Sequence, residues 1–226
     1  MRRRDFIKVV AGSAAARPLA VWAQQSAMPV IGFLNSVSAP PFANYVAGFR
    51  AGLKETGYID GQNITIEFRW AEGHYDRLPG MAADLVRRKV AVLVSTGGPQ
   101  SVVAAKAATS TIPIVFTTGS DPVQLGVVTS LSRPGGNITG VYLFTAAMES
   151  KRLGLLRALV PGVQLIAVLL NPNRPDHADH TREVQEAAAT ARQQIHILLA
   201  SDESAIDAAF ATAVQLRAGA MLVASD

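Results

Sequence analysis

Short apolar runs rich in Val and Ile alternate along this chain with stretches of helical periodicity, and no other feature limits the fold as tightly. Strands joined through helices run parallel, because a parallel pair cannot be closed by a tight hairpin. The alternation therefore predicts βαβ units and sheets covered by helices. Strands are expected over about 29–35, 64–70, 90–95, 112–117, 165–171, 195–199 and 220–224. Helices are expected over about 42–56, 76–89, 100–109, 122–131, 150–159, 179–193 and 204–216. In the first helix Tyr45, Phe49 and Leu53 recur at a spacing of four, and Gly57 follows where a left-handed C′ residue is favoured.

The segment Arg133-Pro134-Gly135-Gly136-Asn137 divides the chain. Four βα units precede it, and the alternation resumes after Gly140-Val141-Tyr142-Leu143. The expected fold is α/β and two-lobed, built of parallel βα units: a first lobe over 24–140, a second over 141–226, and a crossing near Gly140 to Tyr142. One continuous doubly wound sheet with a glycine-rich loop is the alternative. The second lobe reads as incomplete, since Ser225-Asp226 follows a strand directly and no covering helix comes after it. A longer parent protein is the expectation.

Residues 1–23 read as an export signal rather than as part of the fold. A charged start, a modest apolar run from Val9 to Leu19, and small residues at Val21 and Ala23 suit cleavage near Ala23 and a periplasmic location. Arg3-Arg4, Phe6, Ile7 and Lys8 resemble the twin-arginine signal, with Arg2 where Ser or Thr is usual and Ile7 for Leu. That makes the twin-arginine export machinery an expected partner. The general export route stays open, as does a basic amphipathic helix. Gly12, Ser13 and Arg17-Pro18 break the apolar run well short of the ~18 residues of a membrane span.

Loss of that segment changes the charge balance. Of 21 basic and 17 acidic side chains, residues 1–23 hold five basic and one acidic, which leaves 16 of each. A charge-balanced chain lacks the basic face that binds phosphates, so no nucleic-acid partner is expected. Arg87-Arg88-Lys89 reads as a solvated helix end, where cations suit the dipole. There is no cysteine, so neither disulfides nor a bacterial lipid anchor is available. With 49% apolar residues the chain can fold on its core alone, as a monomer without cofactor.

In open parallel sheets ligands bind outside the carboxyl ends of the strands. Here those ends carry Asn35-Ser36-Val37-Ser38, Ser95-Thr96-Gly97-Gly98, Thr117-Thr118-Gly119-Ser120-Asp121 and Asn171-Pro172-Asn173, each ahead of an expected helix. Helix N-termini favour anions. Any one of these residues could simply be a helix cap; the recurrence at four strand ends points to a binding cleft. No nucleophile elbow, P-loop, zinc-protease motif or dinucleotide fingerprint is present, and no catalytic or metal-binding residue is assigned. Asp176-His177-Ala178-Asp179-His180 could be drawn as a metal cluster, but a hydrophilic opening of an exposed helix, capped by Asp176 or Asp179, is preferred. Tyr45, Phe49, Tyr142 and Phe144 are expected in the core except where they border the cleft.

These features together resemble the ABC-transporter substrate-binding proteins of the tryptophan/tyrosine type, a branch of the type I periplasmic binding fold. The resemblance rests on Ile31-Gly32-Phe33-Leu34, Gly48-Phe49-Arg50-Ala51-Gly52-Leu53, Gly57 to Ile64, Asp121-Pro122-Val123, Leu131 to Gly140, and Asn171-Pro172-Asn173. It implies a periplasmic receptor whose lobes close on a small molecule by hinge motion and deliver it to a membrane permease. It also implies ligand contacts at Asn35, Ser36, Thr96, Gly97, Thr118 and Asn171, to which the strand-end reading adds Asp121. Thr96 with the N–H groups of Gly97 and Gly98 is the expected carboxylate site. A doubly wound α/β enzyme and a ligand-sensing regulatory domain remain the alternatives.

Overall fold

A computed structural model describes residues 28–145 and 148–224, so the expected export signal lies outside the described residues. The chain runs β1 (Val30–Asn35), α1 (Ala39–Glu55), β2 (Thr65–Trp70), α2 (Leu78–Arg87), β3 (Val92–Thr96), α3 (Pro99–Ala108), β4 (Ile114–Thr118) and β5 (Ile138–Tyr142). It continues through α4 (Glu149–Leu159), β6 (Leu165–Leu170), α5 (His177–Thr190), β7 (Gln194–Leu199), α6 (Glu203–Gln215) and β8 (Ala220–Val223). The strands form two separate sheets rather than one, in the orders β2-β1-β3-β4-β5 and β7-β6-β8. Every pairing is parallel.

Alternation of side chains along the central strands fills a core on each face. On β1, Ile31 and Phe33 point toward α1 and pack with Val46, Ile66 and Val94. Leu34 joins the opposite core, with Leu85 of α2, Leu93 of β3 and Val102 of α3. Strand β6 does the same in the second sheet: Ile166, Val168 and Leu170 meet Leu153 of α4 and Val184 of α5. Ala167 and Leu169 meet Ala209 and Ala213 of α6. The small alanines let α6 lie close to its sheet.

The expected helix over 122–131 does not form. Pro122 to Ser130 instead makes a string of turns, in which Val127 and Val128 donate to the Pro122 carbonyl and Gly126 takes a positive φ of 67°. A left-handed residue in the middle of so short a stretch ends helical propagation. Val127 and Val128 still reach the core beside α2 and α3. Tyr45 is 69% exposed while Phe49 and Leu53 of the same face pack inward.

The face of β4 and β5 that lies beyond α1 is open: Val115 is 42% exposed, and Val141 and Leu143 are exposed as well. Ile166→Ala is therefore expected to cost about 2–5 kcal/mol of stability, whereas Val115→Ala should stay within about 0.5 kcal/mol. Urea unfolding measures both; equal losses would mean that β4 is covered in solution.

Candidate ligand-binding site

The connection leaving β1 leads to β2 on one side and that leaving β3 leads to β4 on the other, so the first sheet has its topological switch point between β1 and β3. Asn35 and Thr96 end these strands in register. Asn35 Nδ2 donates to Thr96 Oγ1 at 2.8 Å, and Asn35 Oδ1 accepts from the Val37 N–H at 2.8 Å. The Ser36 hydroxyl donates to the Gly97 carbonyl. Gly97 has φ 86°, and a Cβ there would run into Asn35 Oδ1, so the loop needs glycine on both counts.

Capping does not explain these residues. The side chains at the N-cap positions Ser38 of α1 and Asp176 of α5 make no capping bond, and α3 is entered from Gly98. Of the four helices entered from these loops and from the β7 loop, α6 alone has a side-chain cap, with Asp202 Oδ1 accepting from the Ala205 N–H at 2.8 Å. Polar side chains at the first-sheet ends bond across loops instead, leaving the α3 N-terminus without a side-chain acceptor. Gln100, in the first turn of α3, has a buried Nε2 with no partner among the described residues.

Beyond β4, the Ser120 N–H donates to Thr118 Oγ1 at 3.1 Å, and Asp121 Oδ1 accepts from Val123 N–H at 2.7 Å. Beyond β6, Asn171 Oδ1 accepts from Asn173 N–H at 2.9 Å. Contacts between described residues join the strand-end loops of the two sheets. Asn171 Nδ2 lies 3.5 Å from the Tyr75 hydroxyl, and Arg174 Nη2 donates to Ser120 Oγ at 2.9 Å. Arg174 is held by Asp176 through Nε to Oδ1 at 2.9 Å and Nη2 to Oδ2 at 2.8 Å.

A cavity of about 900 Å³ runs from these strand ends down the open face of the first sheet, past Val94, Val115 and Val141 to Pro29 and Ala91 at the far ends of the strands. Thr96, Gly97 and Thr118 line it, as do Phe42, Tyr45 and Arg174. Asn35 and Ser36 are buried one layer behind and support the lining. Asp121 lines a separate cavity of about 130 Å³ between the lobes, and Asn171 sits at the loop contact with Tyr75. Sequence reasoning passed over Tyr75, Arg174 and Asp176 as cleft residues. The available signal was Arg174-Pro175-Asp176, directly after Asn171-Pro172-Asn173.

The start of α5 is not the exposed hydrophilic turn that was expected. His180 is 3% exposed, and its Nε2 lies 3.4 Å from Oε1 of Glu149, which is 2% exposed and accepts from Arg152 Nη1 at 2.9 Å. No His/Asp/Glu group among the described residues is arranged to hold a metal. Phe144, expected in the core, is exposed and packs on Tyr142 with ring centroids 4.0 Å apart.

The smaller cavity brings Asp121, after β4, and Tyr142, on β5 of the five-stranded sheet, against Asp176, Asp179, His180 and Glu183 at the start of α5. Burial raises the Glu183 carboxyl above its ordinary value; the nearby His180 opposes this, while Asp179 and Asp176 add to it. Burial acts on Asp176 in the same direction, but hydrogen bonds from Arg174 and Ser120 and the Arg174 charge outweigh it and hold that carboxyl low. Burial and the charges of Asp121, Glu183 and Asp176 push the Tyr142 hydroxyl up.

These directions set opposite pH dependences. The folded state holds the Glu183 proton more tightly than the unfolded chain does. Stability linked to it is complete below the unfolded pKa and is lost as pH rises through the folded one. Glu183→Gln should therefore raise the melting temperature at pH 7, with the gain fading toward about pH 4. For Asp176 the sign reverses: its contribution is present above the unfolded pKa and is lost as pH falls through the folded one. Asp176→Asn should lower the melting temperature at pH 7, and the loss should shrink on acidification. Thermal melts across pH read both; parallel curves for either variant and the parent would refute its assignment.

Two parallel α/β lobes with their strand-end loops turned toward a common cleft define a two-lobed, periplasmic-binding-protein-like fold. The chain belongs to the ABC transporter substrate binding protein family, which it matches over residues 30–225. It is 35% identical over 141 residues to a tyrosine-binding protein of Clostridioides difficile (strain R20291), covering 62% of this chain and 40% of that protein. Among solved structures, it resembles an ABC domain in complex with L-Trp from Streptococcus pneumonia at 26% identity and a TM-score of 0.75, over 88% of this chain and 65% of that one. A conserved domain protein from Vibrio cholerae is similar at 25% identity and a TM-score of 0.78, over 86% and 64%. The chain thus spans less than two thirds of the length of each of these relatives.

Proposed function

We propose that this chain is the greater part of the solute-binding component of an ABC importer, and that it captures an aromatic amino acid or a close analogue in the cleft. The observation that carries this reading is the meeting of polar strand-end loops of the two sheets, through Arg174 and Ser120, at one end of a cavity bordered by Phe42 and Tyr45. The tyrosine-binding relative and the L-Trp complex support the ligand class.

In this reading the Thr96 hydroxyl, whose oxygen already accepts from Asn35, turns its hydrogen toward the ligand carboxylate. The N–H groups of Gly97 and Gly98 and the first turn of α3 supply the rest of that anion site. Thr118 adds a polar edge. Asn35 and Ser36 hold the loops in shape, and Asp121 and Asn171 flank the cleft where the lobes meet. Export through residues 1–23 by the twin-arginine route would place the protein in the periplasm, where it hands its ligand to a membrane permease. The crossing between the lobes, just past the end of β5 at Tyr142, would then be the hinge.

Ligand binding to the folded state raises the melting temperature by mass action. L-tryptophan or L-tyrosine is expected to raise it, and Thr96→Ala to weaken binding about tenfold in calorimetry, the value of one hydrogen bond to a charged group. No shift with any amino acid would reject the ligand class, and unchanged affinity would remove Thr96 from the site.

A further inference from the structure

We propose that the small cavity between the two sheets is a proton-operated gate: a proton taken up at Glu183 favours the closed meeting of the lobes, and its release favours opening. The inference goes beyond the binding function proposed above and shares with it only the hinge at the crossing between the lobes. The cavity, of about 130 Å³, joins groups from three places in the chain. Asp176, Asp179, His180 and Glu183 recur at helical spacing on one face at the start of α5. Opposite them stand Asp121 and Gln124, in the turns after β4, and Tyr142, the last residue of β5.

Most of these acidic groups already have partners. Asp176 is held by Arg174 of the β6 loop, and Asp179 accepts from Arg182 Nη2 at 2.5 Å. Asp121 Oδ1 accepts from the N–H groups of Val123 and Gln124. Behind His180, Glu149 of α4 accepts from Arg152 Nη1 at 2.9 Å. His180 itself is 3% exposed, and its Nε2, 3.4 Å from Glu149, has no hydrogen-bond partner among the described residues. Glu183 is the cavity carboxylate with neither an ion pair nor a hydrogen bond among the described residues.

The cavity has room for about four waters. With the lobes together, an ionised Glu183 loses part of its hydration and shares this space with Asp121 of the other sheet and with Asp176 and Asp179 of its own helix. A protonated Glu183 escapes both penalties and brings an O–H donor to a cavity rich in acceptors. Burial accordingly raises its carboxyl, and Asp179 and Asp176 add to the rise against His180 and Arg182. Opening carries Asp121 and Tyr142 away from α5 and lets water reach Glu183, so the closed form binds the proton more tightly than the open one. Proton-linked closure is complete below the open-form pKa and is lost as pH rises through the closed-form pKa.

Small-angle X-ray scattering of the parent chain without ligand, at pH 8 and pH 5, reads the gate, with circular dichroism to confirm folding at both. The closed-to-open ratio is expected to rise about three- to tenfold on acidification, since a difference of one pKa unit is a tenfold change. Glu183→Gln is neutral at both values and should give the same ratio at each. His180→Gln should keep the dependence on pH. A parent profile that does not change between the two values overturns the inference, as does a change that survives Glu183→Gln or disappears in His180→Gln. Calorimetry with L-tryptophan gives a second reading: affinity should rise by the same factor in the parent and stay level in Glu183→Gln. Absence of tryptophan binding rejects the proposed ligand class, and the scattering then decides the gate by itself.

Discussion

The cleft depends on the parallel pairing of β1 with both β2 and β3. Parallel strands all end at the same edge of their sheet, so every loop that follows a strand is delivered to one rim. The connections leaving β1 and β3 then diverge, and the gap between the ends of these two strands is left for loop atoms rather than for a crossing helix. Asn35 and Thr96 occupy that gap. Their hydrogen bond, with the Ser36 bond to the Gly97 carbonyl, shapes the loop that opens α3.

The second sheet repeats the arrangement around β6, which is central, buried on both faces and followed by Asn171. The interaction that joins the two rims is polar. Arg174 reaches from the β6 loop to Ser120 of the β4 loop, and its own charge is balanced by Asp176 within its loop. A contact made of a few directional bonds costs little to break, since water can satisfy the groups it exposes. The cores are different in kind. Each lies within one lobe, between a sheet and its own helices.

Strand and helix positions were legible because burial imposes a period. β1 and β6 alternate their side chains between two cores, and that demand is written directly into runs such as Val30-Ile31-Gly32-Phe33-Leu34 and Leu165-Ile166-Ala167-Val168-Leu169. The segment after Asp121 shows the limit. Its apolar spacing suits a helix, yet Val127 and Val128 reach the core through turns that Gly126 permits. Phe144 shows it again, since it is exposed against Tyr142 rather than buried in the core. At the site, the polar strand ends were readable as a set, whereas the separate duties of Asn35, Ser36 and Thr96 were not.

The sequence by itself determined the parallel α/β class, the run of βα units, the rim on which polar residues gather, and the family. The first three follow from local period and chain order, and the family from the resemblance carried by segments such as Leu131 to Gly140. Only the tertiary structure decided that the strands divide into sheets of five and three, that Asn35 and Ser36 stand behind the lining while Thr96 and Thr118 face the cavity, and that Arg174 lies against Ser120, 54 residues away. The physical reason is range. Periodicity records which way a side chain must face its own sheet, but pairings between loops of different sheets are set by how two finished lobes meet.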